Sequence, residues 1–394
     1  MNDALHILWN AISKQPYEHR LPNKVSQFFA GKNILITGSS GFLGQQIIQR
    51  LQNDVPDHGD LIGIDIVSLN GSEDACPVPV PRKGVSANIE TDQFVFYQGH
   101  CGDSELLKTI FAQHRIDIVI HCAAQKYLPE LQNDPYRALN ENTLESILFL
   151  EFCLETRVPY ILYVSTDKAT EPISIYGASK LFPERYLAEK AKFYPQSNIS
   201  CIRLGNIFGS SGSVLKQWEH QWPTSNSIII RGKEMQRIFV NPSQAAVYCL
   251  MSLFVSKELK DTHSEGLLRF GPAHADFWPI YELAQHWLKL KGVSNPETHI
   301  QYAPALAGEK TSERIWSTLD TPLKSSFEEL SFIYDRPNLD SNPDAQAEIA
   351  IDKTIARLKQ IVANAESNAA GQGISEQAKK QSLEWIKNNV FDLC

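Results

Sequence analysis

A glycine-rich turn between a short apolar strand and a helix constrains the fold of this chain more than any other feature. The strand is Ile34 to Thr37, and the loop that follows carries Gly38, Gly41 and Gly44 before a helical run. Glycines at this spacing allow a tight turn, close approach of the backbone to a pyrophosphate and close packing of the helix on the strand. The amino end of the helix adds unpaired N–H groups that favour phosphate. We therefore expect a dinucleotide-binding α/β fold.

The acidic residue after the next apolar strand indicates which dinucleotide binds. Asp65 follows Leu61 to Ile64, about twenty residues beyond the glycine loop, as such folds require. A carboxylate there accepts hydrogen bonds from an adenosine ribose and repels a 2′-phosphate, so NAD is favoured over NADP. NADP stays an alternative because Arg82 and Lys83 could reach back to the same place. Asp65 could instead be a turn residue at the end of its strand.

A second candidate site follows the strand predicted at 160–164. This apolar run leads into residues 165–168, Ser-Thr-Asp-Lys, and the carboxyl ends of parallel strands are where such sheets bind ligands. Tyr176 and Lys180 then lie four residues apart on one face of a predicted helix. A nearby ammonium stabilises phenolate, so we expect the pKa of Tyr176 to lie below its ordinary value of ~10, which would make it a usable base. The alternative is a surface lysine beside a half-buried tyrosine.

Strand and helix signals alternate along the chain as a doubly wound sheet requires. Further strands are predicted at 94–97, 117–120, 200–203 and 267–270. We therefore predict an α/β protein, with a Rossmann-type doubly wound parallel sheet, a smaller α/β substrate-binding lobe and extra terminal helices. The predicted units are an amino-terminal helical extension at 1–30, a dinucleotide-binding domain at 31–206, a mainly substrate-binding lobe at 207–335 whose strand near 267–270 returns to the sheet, and a carboxyl-terminal helical extension at 336–394.

Composition excludes several kinds of partner. The chain has 394 residues, and its formal charge of −8 argues against nucleic acid. Its seven cysteines are scattered without paired metal-ligand spacing, so we expect no metal site and reduced thiols. Residues 1–30 lack the apolar block of a secretory signal, and no uncharged apolar run reaches membrane-spanning length. We expect a cytoplasmic protein with no membrane partner.

Three features depart from a plain doubly wound sheet. Residues 68–92 form a long connection without periodicity, which we interpret as a flap over the adenosine site or a disordered excursion. Pro183 falls inside the helix that carries the candidate tyrosine and is expected to kink it. The terminal segments include apolar stripes at 349–361 and 382–386, and we assign them to packing or to self-association as a homo-oligomer.

Together these segments resemble the extended short-chain dehydrogenases/reductases. Within that superfamily the chain resembles the soluble UDP-N-acetylglucosamine 4,6-dehydratases of the polysaccharide biosynthesis protein family, over about residues 32–316. The most specific match is residues 167–169, Asp-Lys-Ala, with residues 176–180, Tyr-Gly-Ala-Ser-Lys. Related dTDP-glucose dehydratases typically have Asp-Glu at the paired position, and 4-epimerases lack the acid/base pair. The other matching segments are His121 to Pro129, Asn142, Arg203 to Val214, Met235 to Val240 and Gly308 to Lys310.

The resemblance implies a reaction without net redox change. Tyr176, helped by Lys180 and Thr166, takes the proton of the sugar 4-hydroxyl while hydride passes from C4 to bound NAD, to return later to C6. Lys168, if neutral, removes the C5 proton, and Asp167, if protonated, gives a proton to the departing C6 hydroxyl. Both groups would need burial and mutual tuning to hold these protonation states. The alternative is an Asp-Lys surface ion pair.

The motifs and the resemblance assign three sets of residues and no metal ligands. The catalytic set is Thr166, Asp167, Lys168, Tyr176 and Lys180. The cofactor-binding set is Gly38, Ser40, Gly41, Phe42, Leu43, Gly44, Asp65, Asp103, Ala123, Ala124, Tyr176 and Lys180. The substrate-binding set, for a UDP-sugar, is Lys126, Asn206, Ser213, Val214, Arg237 and Glu309.

Several of these assignments keep an alternative. Asp103 is a candidate contact to the adenine ring or a helix cap. Asn206 and Arg237 are candidates to grip uridine diphosphate, because a guanidinium fork suits paired phosphate oxygens, or else structural ion-pair or turn residues. For the whole protein, a nucleotide-sugar 4-epimerase and a non-catalytic cofactor-binding module are alternatives to the dehydratase, which would act with or without epimerisation at C5.

Overall fold

The computed structural model describes residues 2–67, 88–91, 94–127, 130–131, 134–263, 266–274, 277–306, 308–335, 353 and 355–360. The longer α-helices are α1 (Asn2–Ile12), α2 (Asn23–Phe29), α3 (Phe42–Asp54), α4 (Ser104–Gln113), α5 (Glu145–Glu155), α6 (Ile175–Lys190), α7 (Val214–Ser225), α8 (Pro242–Leu259) and α9 (Ile280–Leu290). The strands are β1 (Ile34–Thr37), β2 (Leu61–Asp65), β3 (Asn88–Thr91), β4 (Phe94–Gln98), β5 (Ile118–His121), β6 (Tyr160–Thr166), β7 (Asn198–Leu204), β8 (Asn206–Ile207), β9 (Ile228–Arg231), β10 (Gln236–Val240), β11 (Leu267–Pro272), β12 (Phe277–Pro279), β13 (Ile300–Ala303), β14 (Leu323–Lys324) and β15 (Leu330–Asp335).

The central sheet has the strand order β14-β15-β11-β7-β6-β5-β1-β2-β4-β3. Neighbours from β4 through β11 are parallel, whereas β3, β15 and β14 pair antiparallel at the two edges. The chain runs from β1 outward to β2 on one side and later returns to β5 on the other, so the order reverses between β1 and β5. Ligands bind at the carboxyl ends of strands at such a reversal. The predicted Rossmann-type doubly wound sheet is confirmed.

Helices cover both faces of this sheet, as the apolar strands require. Ile34 and Ile36 of β1 lie in one core with α2, α3 and α8, and Leu35 lies in the other core with α4, α5 and α6. This division follows from the strand geometry, because successive side chains point to opposite faces. Helix α6 continues through Pro183 to Lys190, so the proline does not end it.

The smaller lobe has its own apolar core. Strands β12, β10 and β8 form one small sheet, and β13 pairs with β9. The core that α7 and α9 build beside these strands also takes in Leu8, Trp9 and Ile12 of α1, which are all buried. The Trp9 ring meets Phe208 edge-on, with 5.3 Å between ring centroids. The amino-terminal segment is helical over Asn2–Ile12 and Asn23–Phe29, and α1 packs into the lobe.

The carboxyl-terminal and loop predictions are described only in part. Residues 355–360 are helical, and Ile355 and Leu358 are buried against the core of the sheet. The second predicted stripe, at 382–386, lies outside the described residues, as does most of the long connection, of which 88–91 form the edge strand β3. Within the described ranges, no helix is both long and apolar enough to cross a bilayer.

Candidate active site

A cavity of about 860 Å³ lies at the carboxyl ends of the central strands and is lined from both the sheet and the smaller lobe. Its lining includes every residue of the three predicted sets except Asp103 and Asp167. Asp103 caps α4, because its carboxylate accepts the backbone N–H groups of Glu105 and Leu106 at 2.9 and 3.2 Å. The helix cap is thus the interpretation of Asp103 that the structure supports. Asp167 is completely buried beside the lining residues Thr166 and Lys168.

The glycine loop forms a cradle for a ligand, and its glycine positions leave no room for a side chain. Gly38 has a φ of +68°, and a Cβ there would lie 2.8 Å from the Ala123 nitrogen. A Cβ on Gly44 would lie 2.3 Å from the Gly38 carbonyl oxygen. Backbone therefore borders the cavity directly where α3 begins, and the helix amino end faces a site suited to phosphate. The residues present fit the dinucleotide that the motif predicts.

Asp65 holds this loop in place from the end of β2. Its carboxylate accepts the Ser40 N–H at 2.9 Å and the Val67 N–H at 3.1 Å. Burial raises the pKa of Asp65, although these backbone N–H groups oppose the shift. Asp65 also lines the cavity. The same carboxylate can therefore hold the turn and still contact a ribose bound in the cavity.

Replacement of Gly44 by alanine is expected to weaken dinucleotide binding by about 10- to 100-fold. The added Cβ would overlap the Gly38 carbonyl, and forcing a methyl into a packed position typically costs about 1–3 kcal/mol. Calorimetric titration with NAD measures the effect. Gln49→Ala, at an exposed position of the same helix, is the matched control, and equal affinity in Gly44→Ala and wild type would show that the cradle does not hold the dinucleotide.

The acid and base candidates share a tight turn at the end of β6. Thr166 Oγ1 donates to Asp167 Oδ1 at 2.9 Å, and Lys168 Nζ donates to the same oxygen at 3.0 Å. Asp167 is inaccessible to solvent, whereas the Lys168 side chain is 20% exposed. Lys168 Nζ also donates to Asn206 Oδ1 at 3.3 Å. The pair is therefore a buried, directed contact at the cavity and not a surface ion pair.

The expected low pKa of Tyr176 is wrong for this structure. Burial and the charge of Asp167 raise the pKa of the Tyr176 phenol above its ordinary value, although a hydrogen bond with Thr166 opposes the shift. The Lys180 Nζ lies 4.2 Å from the centroid of the Tyr163 ring. Burial also lowers the pKa of Lys180 to about 8. Tyr176 and Lys180 both line the cavity.

Arg237, one of the two predicted phosphate ligands, already has hydrogen-bond partners within the protein. Arg237 Nη2 donates to Glu309 Oε1 at 2.8 Å, and its Nη1 donates to the carbonyl oxygens of Lys310 and Thr311 at 3.0 and 3.2 Å. The structural ion-pair alternative for Arg237 is therefore observed, at a position that also lines the cavity. A second guanidinium on the lining, that of Arg231, was not selected from the sequence.

Glu313 is a further cavity residue that sequence reasoning missed. It is 3% exposed, and its Oε2 has no hydrogen-bond partner among the described residues. Burial raises the pKa of Glu313, the charge of Lys168 opposes this shift, and the charge of Asp167 adds to it. Glu313 is thus a third ionisable group, beside Asp167 and Lys168, and it faces the acid/base turn from the smaller lobe. Its only sequence signal is its place three residues after the matching Gly308 to Lys310 segment.

The segment that carries Glu313 is pinned at both ends. Arg237 holds its start through the two carbonyl oxygens given above, and Arg203 Nη1 donates to the Ile315 carbonyl at 3.3 Å. Thr170 Oγ1 donates to the same Ile315 carbonyl at 2.8 Å. These contacts fix the position of the Glu313 backbone relative to the turn of Asp167.

Asn142 joins the cofactor side of the cavity to the catalytic helix. It is completely buried in a π-helical turn at residues 138–144. Its side chain accepts the Gln125 N–H at 2.7 Å and donates to the Gln125 carbonyl at 2.8 Å and to Ser179 Oγ at 3.2 Å. The loop after β5 is therefore held against α6, which carries Tyr176 and Lys180.

Known proteins share this sequence pattern and fold. A family model described as polysaccharide biosynthesis protein matches residues 34–335. The UDP-glucose 4-epimerase of Rickettsia prowazekii is 28% identical over 216 residues, which are 54% of this chain and 60% of that protein. The UDP-N-acetylglucosamine 4,6-dehydratase (inverting) of Campylobacter jejuni is 30% identical over 190 residues, 48% of this chain and 52% of that protein. The chain thus spans between half and two thirds of these two curated relatives.

Solved structures agree in fold. The Thermus thermophilus UDP-glucose 4-epimerase, determined in complex with NAD, superposes with a TM-score of 0.57 at 20% identity and covers 72% of this chain and 90% of its own. The family match extends over most of the chain, including the glycine loop, the acid/base turn and the segment of Glu313. This chain belongs to the polysaccharide biosynthesis protein family, within the extended short-chain dehydrogenases/reductases.

Proposed function

We propose that the chain is a nucleotide-sugar 4,6-dehydratase that converts UDP-N-acetylglucosamine to a UDP-4-keto-6-deoxy-hexosamine. The observation that carries the proposal is the buried contact between Asp167 and Lys168, 3.0 Å apart, beside the cavity that Tyr176 lines. Loss of water across C5 and C6 needs a base for the C5 proton and an acid for the C6 hydroxyl. This pair supplies both groups in one turn.

Each catalytic group has a place in this reaction. NAD in the glycine cradle would accept hydride from C4 and return it to C6. Tyr176 takes the proton of the 4-hydroxyl, Lys168 takes the C5 proton, and Asp167 protonates the departing hydroxyl. Uridine diphosphate would lie toward the smaller lobe, where the proposed contacts are Lys126, Asn206, Ser213, Val214, Arg237 and Glu309.

A 4-epimerase is the second candidate, because a relative of similar identity carries that name. Epimerisation at C4 needs oxidation and reduction of the same carbon but no acid and base for C5 and C6. The Asp167 and Lys168 pair would then have no chemical role. Its burial at the cavity favours the dehydratase.

We further propose NAD as the cofactor in preference to NADP. Asp65 lines the cavity at the end of β2, where its carboxylate would repel a 2′-phosphate. The solved relative from Thermus thermophilus contains NAD. Parallel titrations with the two dinucleotides test this choice.

Proton NMR in deuterated buffer tests the function directly. Purified protein with NAD and UDP-N-acetylglucosamine is expected to give a new C6 methyl signal, and nuclear Overhauser contacts between this methyl and the ring protons report retention or inversion at C5. Appearance of the galacto isomer without a methyl signal would instead establish the epimerase. Unchanged substrate would contradict the proposal for this sugar.

A further inference from the structure

The two arginines on the cavity lining differ in how far their charge is already compensated. Arg237 Nη2 donates to the Glu309 carboxylate at 2.8 Å, and Arg237 Nη1 donates to the Gln236 carbonyl at 2.8 Å as well as to the two carbonyls given above. A substrate anion at Arg237 would therefore share this guanidinium with a carboxylate of the protein. Arg237 orders the segment that begins at Gly308, and little of its charge is left for a ligand.

Arg231 makes far fewer contacts with the protein. It is the last residue of β9, it is half-buried, and it lines the cavity. Among the described residues, its Nη1 donates to the Pro304 carbonyl at 3.3 Å, and no carboxylate forms an ion pair with it. A guanidinium has more N–H donors than this one contact uses. Arg231 therefore brings a positive charge and unused donors to the cavity.

The packing of α7 on β9 places Arg231 beside the start of that helix. The chain reverses after α7 at Asn226, which has a φ of +48°, and the Trp218 ring nitrogen donates to the Ile229 carbonyl at 3.0 Å. From Ile229 to Arg231 the strand advances by roughly 7 Å, and from Trp218 back to Val214 the helix covers about 6 Å. Arg231 is therefore level with the first turn of α7.

The first turn of α7 offers donors to the same part of the cavity. Ser213 precedes the helix, and its side chain does not cap it. The Ser213 Oγ is buried and has no hydrogen-bond partner among the described residues. Ser213 and Val214 both line the cavity. A buried hydroxyl without a partner and the unpaired N–H groups of a helix amino end both suit a bound anion.

We propose that Arg231 holds the diphosphate of the UDP-sugar against the amino end of α7. A guanidinium fork binds two phosphate oxygens at once, and the N–H groups of a helix amino end bind others. A diphosphate that lies between them receives donors from both sides. The inference rests on the proposed UDP-sugar substrate and does not depend on dehydration.

Calorimetric titration of the NAD-loaded protein with UDP tests the role of Arg231. Arg231→Gln is expected to weaken UDP binding by about 10- to 100-fold at low salt, because a hydrogen bond between two charged groups is lost. Salt screens the attraction between a partly exposed guanidinium and a phosphate. The wild type should therefore lose more UDP affinity between low and high salt than Arg231→Gln does.

Two further variants serve as controls. Lys233→Gln removes an exposed cation two residues away, whose Nζ lies 5.2 Å from the centroid of the Tyr302 ring and which is not part of the lining. This variant should bind UDP as the wild type does. Arg231→Lys keeps the charge but not the fork, so it should retain the salt dependence with part of the affinity.

Steady-state kinetics and unfolding separate binding from structure. Arg231→Gln should raise the KM for UDP-N-acetylglucosamine by a factor similar to its loss of UDP affinity and change kcat little, because the diphosphate is held equally before and during reaction. Its denaturant unfolding should match that of the wild type. Arg237→Gln should unfold more easily, because Glu309 loses its partner.

The inference and the proposed function fail in different ways. Equal UDP affinity in Arg231→Gln and wild type would overturn the role of Arg231. A loss that is the same at low and high salt would also overturn it, because the contact would then be to an uncharged group. Either result leaves the dehydratase standing if the wild type forms the C6 methyl product. If UDP binds as expected but no methyl product forms, the role of Arg231 stands and the dehydratase fails. A wild type that does not bind UDP would overturn both the role of Arg231 and the proposed substrate.

Discussion

Replacement of Lys168 by alanine is expected to abolish dehydration and to leave cofactor binding intact. Lys168 Nζ contacts Asp167 and Asn206 at the substrate side of the cavity, and no contact joins it to the glycine cradle in the described residues. Loss of a positioned general base typically costs about 10²–10⁴-fold in rate. The yield of the C6 methyl product by NMR measures the first effect, and calorimetric titration with NAD measures the second.

The matched control is Lys324→Ala, which removes an exposed lysine from the edge strand β14. This variant should keep wild-type turnover and cofactor affinity. Methyl product from Lys168→Ala at the wild-type rate would remove Lys168 from its role as the base and would weaken the case for a dehydratase.

Replacement of Arg203 by methionine is expected to lower the free energy of unfolding by about 3–5 kcal/mol. Arg203 and Glu184 form a fork, with Arg203 Nε donating to Glu184 Oε1 at 3.0 Å and Nη2 donating to Oε2 at 2.6 Å. Both side chains are 3% exposed. The substitution would leave the carboxylate buried without its partner, beside Ser165 at the end of the catalytic strand. Denaturant unfolding measures the loss.

The double variant Arg203→Met with Glu184→Leu is the control for this prediction. It removes both charges, so most of the lost stability should return, because the cost arises from one unpaired buried charge. If the double variant is as unstable as Arg203→Met alone, the loss comes from packing or from the contacts of Arg203 with Thr170 and Ile315.

The same pair has a defined pH signature. Burial raises the pKa of Glu184, but the charge and hydrogen bonds of Arg203 together with the charge of Arg269 and the Ser165 hydrogen bond outweigh it, and the net pKa lies below the ordinary value. A carboxyl whose pKa is depressed by folding stabilises the protein above its unfolded pKa, and this contribution is lost as the pH falls through the folded pKa. The wild type should therefore lose this part of its stability in acid, and Arg203→Met should lack that part of the acid dependence.

Local patterns predicted the dinucleotide half of the molecule well. The strand at Ile34 to Thr37, its glycine loop and the carboxylate at Asp65 were all placed correctly, because strand periodicity and turn chemistry act between near neighbours in sequence. The observed strand ends differ from the predicted ones by one or a few residues. Strand β5, for example, begins at Ile118, whereas the predicted strand begins at 117. Backbone pairing with the neighbouring strands decides such ends.

The chemical state of the site was harder to predict, because it depends on long-range packing. The spacing of Tyr176 and Lys180 places them on one helix face, but only the fold shows that the ammonium lies against Tyr163. Glu313 reaches the acid/base turn through contacts made by Arg237 and Arg203, which are distant in sequence. Local sequence patterns do not predict contacts between residues that are distant in sequence. Burial then decides the pKa shifts that follow from those contacts.

The packing of α1 into the smaller lobe sets the order in which the chain can fold. Leu8, Trp9 and Ile12 share a core with α9, which begins at Ile280, so some 270 residues separate the two sides of that core. At a synthesis rate of ~5–20 residues per second, the apolar face of α1 waits roughly 14 to 54 seconds for its partner. Contacts between such distant segments also slow folding. The newly made chain therefore carries a tryptophan-containing helix whose core is incomplete until α9 has been made, and the apolar core of the smaller lobe can be completed only then.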